Sequence, residues 1–205
     1  MTRNELRDAF FDQLGPLLPG FRPRKKDEVF VRKIAGGEQQ VGLALVDYKP
    51  DFVLSLTVAI RLEEAETIFN AFSGSLPKYH GSTLTSATLL EWFTKGSPAR
   101  VKVSSDAEIA AAVAQLKPVI EGRIAPFLEA HQDVESLDAV LNGPDGAAFD
   151  KTNPPYRQMH GLIVAKLAGN PRFEELAATF QGEAAAWQER DRAKLVALTN
   201  QLRTH

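Results

Sequence analysis

The sequence predicts an α+β fold: an antiparallel sheet of three to five strands, covered on one face by helices, with a helical C-terminal region. Three observations carry this. Phe52, Leu54, Leu56, Val58, Ile60 and Leu62 alternate with Val53, Ser55, Thr57, Ala59 and Arg61, the period of a strand with one covered face. Two β-rich runs, EVFVRKIA at 28–35 and QVGLALV at 40–46, flank Gly36-Gly37, a pair that supplies the positive φ angles of a tight hairpin. From residue 105 onward apolar residues recur at helical spacing.

The elements follow in order. Thr2-Arg3-Asn4-Glu5 is a capping box, in which the Thr hydroxyl accepts from a backbone N–H and the Glu carboxylate reaches back. Leu6, Phe10, Leu14 and Leu17 continue as a helix that should end near Gly15-Pro16, before a loop marked by Pro19, Gly20 and Pro23. The hairpin comes next, then a turn at 47–51, then the long alternating strand. Leu62, Ala65, Phe69 and Phe72 switch to helical spacing, with Gly74 as the stop. Short strands are expected around 83–85 and 100–103. Ser105-Asp106-Ala107-Glu108 forms a second capping box, opening a long helix through Phe127 that Pro118 and Pro126 should bend or break. A helix at about 134–142 precedes a Gly/Pro/Asp-rich stretch at 143–155. Asn153-Pro154 and Asn170-Pro171 bracket a helix of about 155–168, and a last helical region, broken near Gly182, fills 172–203. The expected organisation is an α+β domain over 1–142 and a helical region over 143–205, packed together.

Composition narrows the function classes. The 205 residues include no Cys, which removes disulfides, thiol chemistry and Cys-based metal sites. No apolar run approaches the ~18–20 residues of a membrane span, so the expected location is the cytoplasm and no membrane partner is expected. The net charge is −2. Residues 104–150 carry two basic and nine acidic side chains, between more basic ends. A nucleic-acid binder gathers basic charge on one face, so nucleic acid is an unlikely partner.

The stretch 74–83 combines glycines, Lys78 and hydroxyls, but its second glycine precedes Ser rather than Lys, so it is not a phosphate-binding P-loop. His80, His131, His160 and His205 form no i, i+4 pair; no metal ligands and no cofactor are predicted, and no nucleophile elbow is present. Glu63, Glu64 and Glu66 are expected on the solvated face of their helix. Arg22, Arg24, Lys25 and Lys26 form the densest charge in the chain, with Arg32 and Lys33 beyond. This is either an anion-binding patch or a solvated loop beside a charge-guarded edge strand. Tyr48, Tyr79, His80 and Trp92 are aromatics in or near turns, and such residues serve both binding surfaces and core margins.

Gly20-Phe21, Lys25-Lys26, Phe30 and Arg32 belong to a pattern in which a helix and proline loop precede GFRPRKKDEVFVRKI, a hairpin and the strand FVLSLTVAI. In these residues the chain resembles bacterial domain-of-unknown-function sequences over about 5–140. The resemblance implies an immunity or accessory protein and carries over no catalytic residues. The expectation that follows is a non-enzymatic protein that binds another protein. The alternatives are a small-molecule binder or enzyme with a cleft near Tyr79, His80 and Trp92, and a weak nucleic-acid binder through 22–33.

Overall fold

Thr2 Oγ1 accepts from the Glu5 backbone N–H at 3.3 Å, and Glu5 Oε2 accepts from the Thr2 N–H at 2.8 Å. This reciprocal cap starts α1 (Arg3–Leu14), which buries Leu6, Phe10, Phe11 and Leu14 along one stripe. The computed structural model describes residues 1–48, 51–95 and 100–204. The turn expected at 47–51 lies partly outside the described residues.

The fold is α+β. Its antiparallel sheet contains β1 (Arg22–Arg24), β2 (Val29–Ile34), β3 (Gly37–Tyr48), β4 (Asp51–Leu62), β5 (Ser86–Leu89) and β6 (Val101–Val103). Strands β1 to β5 lie side by side in sequence order, and β6 also pairs with β4. Ile34 faces Gly37 across the hairpin, where Gly36 takes φ +74°. Phe52 faces Val103 and Leu54 faces Val101. Along β4 the six residues of the apolar row are all buried; of the alternate row Val53, Ser55 and Thr57 are half-buried, and Ala59 and Arg61, toward its end, are buried as well. The alternation thus follows the covered face as the period requires.

Two expectations for the sheet shift. The basic segment at 22–24 is an edge strand rather than a loop. The strand expected at 83–85 falls instead at 86–89. Thr85 Oγ1 is taken by the Leu62 backbone N–H at 2.9 Å, and the Thr83 carbonyl accepts from Arg61 at 2.5 Å. These groups serve the start of the next helix, not a ladder.

By its contacts the chain divides into two compact units: Met1–Ala59 with Thr88–His131, and Ile60–Ala87 with Gln132–His205. In the first, α1 packs on α4 (Asp106–Val119) and β3, with Phe11 and Phe30 rings 4.5 Å apart. Ser105 Oγ caps α4 through the Glu108 N–H, but Glu108 reaches back to the Ser104 N–H at 2.7 Å rather than to that of Ser105. Pro118, which cannot donate to the helix ladder, sits two residues before a wider π turn at Ile120–Ile124. The chain then resumes as α5 (Ala125–Ala130). The short α3 (Leu90–Thr94) also belongs to this unit.

The second unit gathers α2 (Glu63–Ser73), α6 (Val134–Leu141), α7 (Gly146–Phe149), α8 (Tyr156–Leu167), α9 (Phe173–Glu183) and α10 (Glu189–Thr204). Helix α8 is its centre and packs on α2, α6, α9 and α10. Eight consecutive residues of α8, Gln158–Ala165, are buried, as expected of a helix enclosed on all sides. Gly161 permits this closeness: a Cβ there would stand 2.9 Å from Asn142 Oδ1 and 3.1 Å from the Phe180 ring. Among the described residues no helix is long and apolar enough to cross a membrane.

Candidate functional site

The second unit contains a buried polar cluster, beginning with Arg61 near the end of β4. Its guanidinium grips Glu63 through two bonds of 3.1 and 2.8 Å and donates to Thr83 Oγ1 at 3.0 Å. Such a bidentate pair fixes both side chains.

Glu66, one turn on, is fully buried, which corrects the expectation that 63, 64 and 66 share a solvated face. Ala65, Glu66, Phe69 and Ser73 are the buried residues of α2, and Glu66 lies among them on the inward face. Its carboxylate accepts from Thr85 Oγ1 at 2.7 Å. Oε1 stands 3.1 Å from His160 Nε2, and Oε2 stands 3.8 Å from Arg61 Nη1. Burial pushes the Glu66 carboxyl up, but His160, Thr83 and Thr85 together hold it below its ordinary value.

His160 is 2% exposed and lies against the Phe69 ring, with centroids 4.0 Å apart and an interplanar angle of 27°. Neither ring nitrogen has a hydrogen-bond partner of proper alignment. Other buried atoms of this unit without a hydrogen-bond partner include Glu66 Oε2, Asn70 Oδ1, Asp150 Oδ2, Thr152 Oγ1 and Gln158 Oε1. Asp150 accepts from the Thr152 backbone N–H at 2.9 Å, and burial pushes its carboxyl up despite that bond.

Two surface pits open over this cluster. One, of about 260 Å³, is lined by Phe69, Thr152, Tyr156 and His160 together with Ser75, Ser82, Thr83 and Leu84. Tyr156 meets Phe69 edge to face at 5.4 Å. The other, of about 430 Å³, is bounded by Arg61, Thr67, Asn70, Ala71, His80 and Gly81. A third cavity of the unit, about 660 Å³, lies among α2, α8 and α10 and is lined mainly by Ile68, Phe72, Leu167 and Leu202. It is larger but holds none of the orphaned groups. Among the described residues no group of three or more His, Asp or Glu could hold a metal ion.

The structure distributes the residues singled out from sequence. Tyr79 and His80 lie on the short 3₁₀ helix Pro77–Ser82 of the second unit. Tyr79 is exposed, while His80 Nε2 lies 3.0 Å from the Ser75 carbonyl. Tyr48 and Trp92 belong to the first unit. Tyr48 is exposed at the end of β3, and Trp92 packs edge-on against Phe93 and Phe127. The basic segment also belongs to the first unit, and its charges are largely engaged within the chain. Arg24 pairs with Glu38 at 2.7 Å, Lys25 with Asp12 at 3.3 Å, and Lys33 with Glu38 at 2.8 Å. Arg32 pairs with Glu129 and covers the Phe21 ring. Arg22 and Lys26 are exposed.

Nothing local in the sequence links Glu66 to His160. The available signals were a carboxylate on an apolar helical stripe and a histidine inside the run QMHGLIVA. Each buried ionisable group implies a partner, but 94 residues of chain separate the two. Compared with family models, curated proteins and solved structures, the chain matches none.

Proposed function

We propose that the protein binds a small polar molecule in the second unit, in the pit bounded by Phe69, Thr152, Tyr156 and His160. The observation that carries this reading is His160: a buried imidazole at a cavity wall, beside an ionisable partner, with both nitrogens lacking an aligned hydrogen bond. Each unmet buried polar group costs about 1–3 kcal/mol, and native proteins retain few without a role. At about 260 Å³ the pit suits a molecule smaller than most drug-sized ligands.

The test is an NMR titration of labelled protein with millimolar amines, polyols and small carboxylates. Binding should move the backbone resonances of Phe69, Tyr156 and His160, and Ser82→Phe, which puts a bulky ring on a lining position, should abolish the effect. The reading fails if no compound moves them, or if Ser82→Phe leaves the shifts unchanged. A second reading, docking of a protein partner, draws support from Leu76 and Tyr79, which are 59% and 53% exposed on the loop beside the pit.

A further inference from the structure

We infer that the molecule taken by this pit is small, uncharged and polyhydroxylated, a polyol or sugar-like compound in chemical class; the inference rests on the binding reading above. Three properties of the lining residues themselves converge on it.

The first is a mixed demand for donors and acceptors. Thr83 Oγ1 is spent: it donates to the His80 carbonyl at 3.0 Å and accepts from Arg61 and Asn70. Ser82 Oγ donates to the Tyr79 carbonyl at 2.9 Å, which leaves its lone pairs to accept. Thr152 Oγ1 is buried without an aligned partner, although Asp150 lies near it. Among the described residues the hydroxyls of Ser75 and Tyr156 enter no hydrogen bond. His160 Nε2 stands 3.1 Å from Glu66 Oε1, which only accepts, so the neutral ring carries its proton on Nε2 and leaves Nδ1 as an acceptor. Ser75, Thr152 and Tyr156 can thus donate or accept, while Ser82 and His160 accept. An ammonium only donates and a carboxylate only accepts, whereas a hydroxyl does both. A molecule carrying several hydroxyls matches such a wall.

The second is charge. No Lys, Arg, Asp or Glu is among the lining residues. In the neighbouring cluster Arg61 pairs with Glu63 at 2.8 Å and stands 3.8 Å from Glu66. Asp150, which accepts from the Thr152 backbone N–H at 2.9 Å, is buried and does not line the pit. A charged ligand would leave water without a counter-ion in the wall, an expensive transfer. A neutral hydroxyl exchanges hydrogen bonds to water for hydrogen bonds to protein at a small net gain.

The third is the apolar part of the wall. Phe69, Leu84 and the Tyr156 ring supply apolar area, which the C–H groups of a polyol can cover. Tyr156 is 36% exposed and joins an apolar ring to a polar tip. A short carbon chain bearing hydroxyls presents the same two characters.

Four-carbon probes separate the possibilities: erythritol, 1-butanol, erythronate and n-butylammonium, titrated by NMR into the wild-type protein. Erythritol should bind about ten-fold more tightly than 1-butanol, roughly the worth of one net hydrogen bond, with shifts centred on Phe69, Tyr156 and His160. Erythronate and butylammonium should bind more weakly than erythritol. Tyr156→Phe, which removes only a hydroxyl, should narrow the preference for erythritol over 1-butanol, and Thr152→Val should do the same. If 1-butanol or either charged probe binds as well as erythritol, or if neither variant narrows the preference, the polyol class is wrong while the pit-binding reading stands. The same holds if only amines or carboxylates of the broader panel bind. If no compound of any class binds, both fall together.

Discussion

Glu66→Ala lowers the unfolding free energy by about 3–5 kcal/mol, the usual cost of removing one partner from a buried ionic pair. The truncation leaves His160 and Thr85 facing empty space and frees one side of Arg61. Urea denaturation followed by circular dichroism measures the loss; a change below about 1 kcal/mol is the size expected of an exposed pair and would contradict burial of the cluster. The pH dependence has a definite sign. The Glu66 carboxyl is held below its ordinary value in the fold. Its stabilisation is therefore complete above the ordinary carboxylate range and is lost as pH falls through the lowered folded value. Glu66→Gln, which keeps the size of the side chain, should flatten the acid limb of the stability curve.

Leu56→Ala costs about 2–5 kcal/mol, because it opens a cavity in the middle of the covered face of β4. Thr57→Ala, one residue along and on the opposite face, should cost only about 0.5 kcal/mol. The contrast between neighbours reads the period of the strand directly. Equal losses at the two positions in chemical denaturation would mean that the covered face is not the one occupied by Phe52, Leu54, Leu56, Val58, Ile60 and Leu62.

What the sequence displays of this fold is what short-range chemistry encodes. The period of β4, the Thr2–Glu5 cap, the glycine at the hairpin and the Gly74 stop of α2 each depend on residues within one element or one turn. What it conceals depends on distant partners. Thr83 and Thr85 are good strand formers by propensity, yet their hydrogen-bonding groups are claimed by Arg61, Leu62 and Glu66. Arg22–Arg24 resembles a loop because charge and proline dominate it, yet edge strands tolerate both. The candidate site was the least legible part. His80 is legible as a polar aromatic beside a turn, and it borders one of the pits. Glu66 was hidden because an acidic residue in the first turn of a helix ordinarily faces water and the helix dipole. His160 was hidden by the apolar run around it.

The pairing of Glu66 with His160 inside the second unit supports both the stability argument and the binding argument. A double-mutant cycle with Glu66→Gln and His160→Gln, read by urea denaturation at neutral pH, tests it most directly. Two side chains 3.1 Å apart in a buried cluster should show a coupling of about 1–3 kcal/mol. Losses that simply add, to within about 0.5 kcal/mol, would mean that the two groups do not interact in the folded protein.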